Sequence, residues 1–125
     1  MTNGQIVSTA ASLTPFKDPS GGFLHAPCWN ALYGQFLFSA DSPGKQLLRY
    51  LVSDSNVFFD KAGAAKLTGS PTDLAVEDGV LGVIDGGSDG AASNVTLFDI
   101  DSEGQLTMRF AVKIAGPING AAIIR

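Results

Sequence analysis

The chain has one cysteine and one histidine among its 125 residues. A lone Cys28 cannot form a disulfide within the chain, and with only His25 to accompany it there is no Cys/His zinc cluster. Basic residues are also scarce: eight Lys and Arg stand against twelve Asp and Glu, a formal net charge of -4. They are scattered along the sequence, which argues against a nucleic-acid partner, because neutralising phosphates needs clustered cations. No apolar run approaches a membrane span, and the N-terminus lacks a basic segment followed by an apolar stretch. The chain as given therefore reads as a protein without a membrane partner, cytoplasmic or secreted after processing. No window sustains a 3.6-residue apolar period, so helices should be few.

What the chain does have is a unit repeated on itself. Ala26-Pro27-Cys28-Trp29-Asn30-Ala31-Leu32 lies over Ser70-Pro71-Thr72-Asp73-Leu74-Ala75-Val76, and both lie over Gly116-Pro117-Ile118-Asn119-Gly120-Ala121-Ala122. Pro followed four residues later by Ala thus occurs three times. Downstream, Phe36 to Asp41 matches Val80 to Asp85, and Leu48 to Val52 matches Thr96 to Ile100, with a short insertion after Asp85. Gly4-Gln5-Ile6 echoes Gly104-Gln105-Leu106. The runs Gln35 to Ala40, Gln46 to Val52, Val80 to Ile84 and Val95 to Ile100 are β-branched, aromatic or leucine-rich and bounded by Gly, Ser, Asp and Pro, as strands are. A period of about 45 residues holding four short strands marks a propeller blade.

The expected fold is therefore all-β, with four-stranded antiparallel blades in one domain. Residues 1–15 supply an outer strand (Gly4 to Ala10) of a preceding blade, 26–68 form blade one, 70–115 blade two, and 117–125 the inner strand of a following blade. Phe36, Phe38, Leu48, Tyr50, Leu81, Val83, Val95, Leu97 and Phe98 are the expected core. A blade with one uncovered face and unpaired edges favours association, so a homo-oligomer joined through the terminal strands is expected.

Pro27-Cys28-Trp29, Pro71-Thr72-Asp73-Leu74-Ala75, the segment from Leu97-Phe98-Asp99-Ile100 to Gly104-Gln105-Leu106-Thr107, and Gly120-Ala121-Ala122 resemble the lactonase and 3-carboxymuconate cyclase-like seven-bladed propellers, especially the fungal ones. The resemblance runs from Ala26 onward and rests on structural blade motifs. A seven-bladed ring needs roughly 300 residues or more at this period, so the chain looks like a C-terminal part of such a ring. No catalytic residue of the family carries over.

In a propeller the loops between blades share a rim with the loops between the second and third strands of each blade, and ligands usually sit there. Here that rim collects Asp18, His25, Asp41, Lys45, Asp85, Asp89 and Asn119 as candidate binding residues for a small molecule or sugar. His25, which titrates nearest neutrality, is the first candidate acid or base. Arg49 is a second catalytic candidate, because a guanidinium can clamp a carboxylate; its ordinary reading is a solvated face residue. Asp85 before Gly86 and Gly87 is also a natural turn-former, and the run to Asp89 lacks the glutamate of a known calcium loop. No metal or other cofactor is expected. Cys28 reads as a buried structural residue, and Asn94-Val95-Thr96 fits a glycosylation sequon.

Three function classes compete: a non-catalytic binding or assembly module, a lactonase or cyclase whose site forms between subunits, and a lectin-like sugar binder. Trp29, Tyr33 and Tyr50 are the aromatic platforms that the last would use.

Overall fold

The computed structural model describes residues 27–54, 56–86, 92–118 and 120–124. Among them there is no helix, and eight strands form two four-stranded antiparallel sheets. The first contains β1 (Pro27–Tyr33), β2 (Phe36–Asp41), β3 (Gln46–Val52) and β4 (Val57–Lys66). The second contains β5 (Ser70–Glu77), β6 (Val80–Gly86), β7 (Ala92–Ile100) and β8 (Leu106–Ala115). Each sheet is a simple meander in sequence order, so every neighbouring pair is joined by a hairpin and each sheet has the organisation of a propeller-type blade.

Local chemistry sets the hairpins. Asp78 and Gly79, both at positive φ (42° and 75°), form the two-residue turn between β5 and β6, a geometry that Asp-Gly adopts readily and that matches strand twist. The longer loop between β7 and β8 is closed by Asp101, whose Oδ1 accepts from the amides of Glu103 (2.9 Å) and Gln105 (2.8 Å). This loop is positioned by the neighbouring sheet. Gly104 has φ +70°, and a Cβ there would lie 2.6 Å from the Phe36 ring, so only glycine permits both the turn and the contact.

The repeat seen in the sequence is also the repeat of the ladders. Phe36 pairs with Leu51 and Val80 with Asp99; Phe38 pairs with Arg49 and Gly82 with Leu97; Asp41 pairs with Gln46 and Asp85 with Asn94. Side chains alternate across a strand, so this register gives each sheet two distinct faces. Phe36, Phe38, Ala40 and Leu47 of the first sheet cluster with Leu74, Leu81, Val83, Phe98 and Ile100 of the second to form the core. Because the two sheets stack by unlike faces, the surface of the second sheet equivalent to Phe38, Ala40 and Leu47 points away from that core.

This handedness corrects part of the expected core. Val95 and Leu97 are half-buried, whereas Phe36, Phe38, Leu48, Tyr50, Leu81, Val83 and Phe98 are buried as expected. Cys28 is exposed because β1 is the edge of its sheet, where Trp29 and Asn30 are exposed with it. Residues 117, 118 and 120–124 join no ladder. Hydrogen bonds tie them to the second sheet: the Ile118 amide donates to Ser93 Oγ (3.0 Å), and that of Ala121 to Asp73 Oδ2 (2.6 Å). The expected strand Gly4 to Ala10 lies outside the described residues.

Candidate functional site

The rim expected to bind ligands is where β2 and β6 end and where β3, β5 and β7 begin. Asp41 and Asp85 occupy equivalent places on it, opposite the first residues of β1 and β5 through the pairs Pro27 with Asp41 and Pro71 with Asp85. Lys45 is on the same rim, exposed and at φ 48° in the turn between β2 and β3. Its backbone carbonyl accepts from the Leu67 amide (2.9 Å), which ties the end of the first sheet to the link into the second. Asp18, His25, Asp89 and Asn119 lie outside the described residues.

Both rim carboxylates are turned inward. Asp41 is 1% exposed; its Oδ1 accepts from the Gly44 amide (3.3 Å) and its Oδ2 from Gln46 Nε2 (2.7 Å). Gln46 Oε1 in turn accepts from Lys66 Nζ. Asp85 is also 1% exposed, and its Oδ1 accepts from Asn94 Nδ2 (2.6 Å), which also donates to Thr68 Oγ1 (3.0 Å). A buried carboxylate must be matched by donors, and here the donor is the amide side chain at the start of the next strand. The arrangement latches the corner of each blade. It also folds the sequon inward, since Thr96 is buried and the Asn94 amide is engaged.

Arg49 is not the solvated residue its strand position suggested. It is 7% exposed and forms an ion pair with Asp60 of β4. Its Nη1 donates across the sheet interface to the carbonyls of Glu103 (3.1 Å) and Gly104 (2.6 Å), while its Cζ stands 5.5 Å from the Phe36 ring centroid. The guanidinium reaches the loop between β7 and β8, at the opposite rim from Asp41 and Asp85. Sequence reasoning missed this role because the partners lie 54 and 55 residues away and are backbone carbonyls, which no motif marks. Nearby, Lys61 Nζ donates to Gln105 Oε1 (3.4 Å).

Tyr50 is buried on the first sheet, with its ring 5.4 Å from that of Phe59 in an edge-to-face contact. Burial raises its phenol pKa above the usual 10.0, and the negative charge of Asp41 raises it further. Among the described residues no three His, Cys, Asp or Glu side chains converge as a metal site would require.

An apolar concavity lies elsewhere. A cleft of about 240 Å³ lies between the outward face of the second sheet and residues 118 and 120–123, lined by Gly82, Ile84, Val95, Leu97, Ile118 and Ile123 among others. On β8 the same face continues through Phe110 and Val112, which pair with Leu97 and Val95, and Ile114, which pairs with Ser93; these three are 48%, 46% and 41% exposed. No helix among the described residues is long and apolar enough to cross a membrane. Comparison with protein-family models, curated proteins and solved structures finds no match to this chain.

Proposed function

We propose that this chain is a non-catalytic assembly module, made of blades resembling those of lactonase and carboxymuconate cyclase-like propellers of fungal type, that associates with further copies of itself. The observation that carries this reading is an asymmetry between polar and apolar groups. Asp41, Asp85 and Arg49 are engaged by partners inside the chain, while Phe110, Val112 and Ile114 are left exposed on β8, whose outer edge pairs with no other strand among the described residues. A continuous apolar face beside an open edge favours association.

The enzyme reading has less support, because the guanidinium that would clamp a substrate carboxylate already holds Asp60. The lectin reading loses Tyr50 as a platform, since its ring is buried.

Sedimentation velocity at micromolar concentration tests the proposal. An oligomer is expected, and deleting residues 118–125 should reduce both its mass and the unfolding midpoint of the chain. A stable monomer indifferent to the deletion overturns it. Simple lactones should not be hydrolysed; turnover lost in His25→Ala would favour the enzyme reading instead.

A further inference from the structure

The four outer strands of the two sheets, β1, β4, β5 and β8, are not equivalent as edges. β1 and β5 stand beside each other where the sheets stack, and each carries a proline and a register shift near its start. β4 meets β3 through two register shifts and places Asp60, Lys61 and Lys66 along its length. Bulges, prolines and charges are the devices that keep an edge from pairing. β8 has one register shift, at Leu97/Phe98, and beyond it the pairs run unbroken from Phe110 opposite Leu97 to Ala115 opposite Ala92. Side chains alternate along this stretch. Phe110, Val112 and Ile114 share one face and are exposed, while Ala111, Lys113 and Ala115 share the other.

A second copy of the chain presents the same edge, so β8 of one molecule can pair with β8 of another without either giving up a ladder it already makes. Antiparallel pairing about a two-fold axis sets one residue opposite its own counterpart, and its neighbours follow in opposite order. The charges select the centre, because like charges directly opposite are destabilising. A centre at Ala111 sets Arg109 against the second copy's Lys113, and a centre at Lys113 sets the two lysines against each other. A centre at Phe110 draws Met108 and Arg109, at the register shift, into the new ladder. A centre at Ile114 runs past Ala115, the last residue of the strand. Val112 avoids all of these. It meets its own counterpart, Phe110 meets Ile114, and Lys113 lies opposite Ala111, whose small side chain leaves it room.

We propose that β8 is a homodimerisation edge: two copies join their β8 strands antiparallel about a two-fold axis at Val112, a form of β-augmentation that makes the two second sheets continuous. The new ladder supplies backbone hydrogen bonds. Phe110, Val112 and Ile114 of both copies then form one apolar row across the junction, on the face that holds Val95 and Leu97. This deepens the assembly reading and rests on it, since it names the edge through which two copies meet.

The test uses the full chain in sedimentation velocity at micromolar concentration. Val112→Lys brings two like charges together at the axis and should weaken dimerisation about tenfold or more. Val57→Lys, a matched change at an exposed position on β4, should leave the mass unchanged. Urea midpoints of both variants should match the parent, which separates lost pairing from lost folding. Oxidative cross-linking in a Cys28→Ser background reads the register independently. Val112→Cys should cross-link to itself, since directly opposed residues bring their Cβ atoms to about 4.5–5.5 Å. Ile114→Cys alone should not, but should cross-link to Phe110→Cys when the two chains are mixed. An oligomer whose mass is indifferent to Val112→Lys and that forms no Val112→Cys cross-link overturns the β8 edge and leaves the assembly reading standing. Cross-linking of Ile114→Cys alone in place of Val112→Cys overturns the register, and a stable monomer overturns both the edge and the assembly reading.

Discussion

At the scale of the residue, Arg49 joins the two sheets, and its loss has a calculable direction. Arg49→Met keeps much of the volume but leaves Asp60 without its partner and two carbonyls without their donor. With Asp60 partly solvated, the expected cost is about 2–3 kcal/mol, read as a lower urea midpoint. Arg49→Lys should recover little, because an ammonium cannot reproduce the planar fork that reaches the carboxylate and the loop together. A midpoint within error of the parent for either variant would show that the interface holds without it. Tyr50 gives a pH dependence. Its folded-state pKa is raised above 10.0 by burial and by Asp41, so the folded chain retains a proton that the unfolded chain releases. That stability is complete below about pH 10 and is lost as the pH climbs through the folded value. Urea midpoints measured from about pH 8 to about pH 11 should fall at the alkaline end, and Tyr50→Phe should lessen the fall.

At the scale of the element, Asp73 positions the segment that borders the cleft. Its Oδ1 accepts from its own neighbour, the Leu74 amide (2.8 Å), and its Oδ2 from Ala121 (2.6 Å). Asp73→Ala should release Ala121, at a cost of about 1 kcal/mol, and speed amide exchange at Ala121 while β2 and β3 stay protected. Unchanged exchange at Ala121 would assign its protection to packing in the cleft. Strands β2, β3, β6 and β7 were legible in the sequence, since β-branched and aromatic runs between Gly, Asp and Pro have few other ways to fold, whereas β4 and β8 were implied only by the four-stranded blade. The repeat read from Pro27 and Pro71 recurs in the ladder register, because equivalent residues meet equivalent partners. The face on which each residue lies was less legible. Leu97 is as apolar as Leu48, yet one borders the cleft and the other is fully buried. That difference depends on which sheet face meets which, a property of stacking and not of local pattern. Asp41 and Asp85 were found as rim residues, but the amides of Gln46 and Asn94 that turn them inward carry no sequence signal beyond the repeat itself.

At the scale of the whole molecule, the two sheets use unlike faces against each other, so stacking closes one pair of surfaces and leaves another open on the second sheet. The open side ends in β8, an edge strand on which exposed Met108, Phe110, Val112 and Ile114 are interleaved with Arg109 and Lys113. Arg109 is held by Asp99, whereas Lys113 pairs in the ladder with Asn94 near the strand's end. A cation such as Lys113 on an apolar edge strand is expected to oppose fibril growth. A flat apolar edge is a template on which like strands stack without limit, and a charge repeated at each layer opposes that growth. Lys113→Ile should therefore leave the fold unchanged but shorten the lag before thioflavin-positive fibrils form at neutral pH. An unchanged lag would mean that Arg109 or strand twist is the guard. The exposed apolar side chains of β8 are thus also an aggregation hazard, which the basic residues between them oppose.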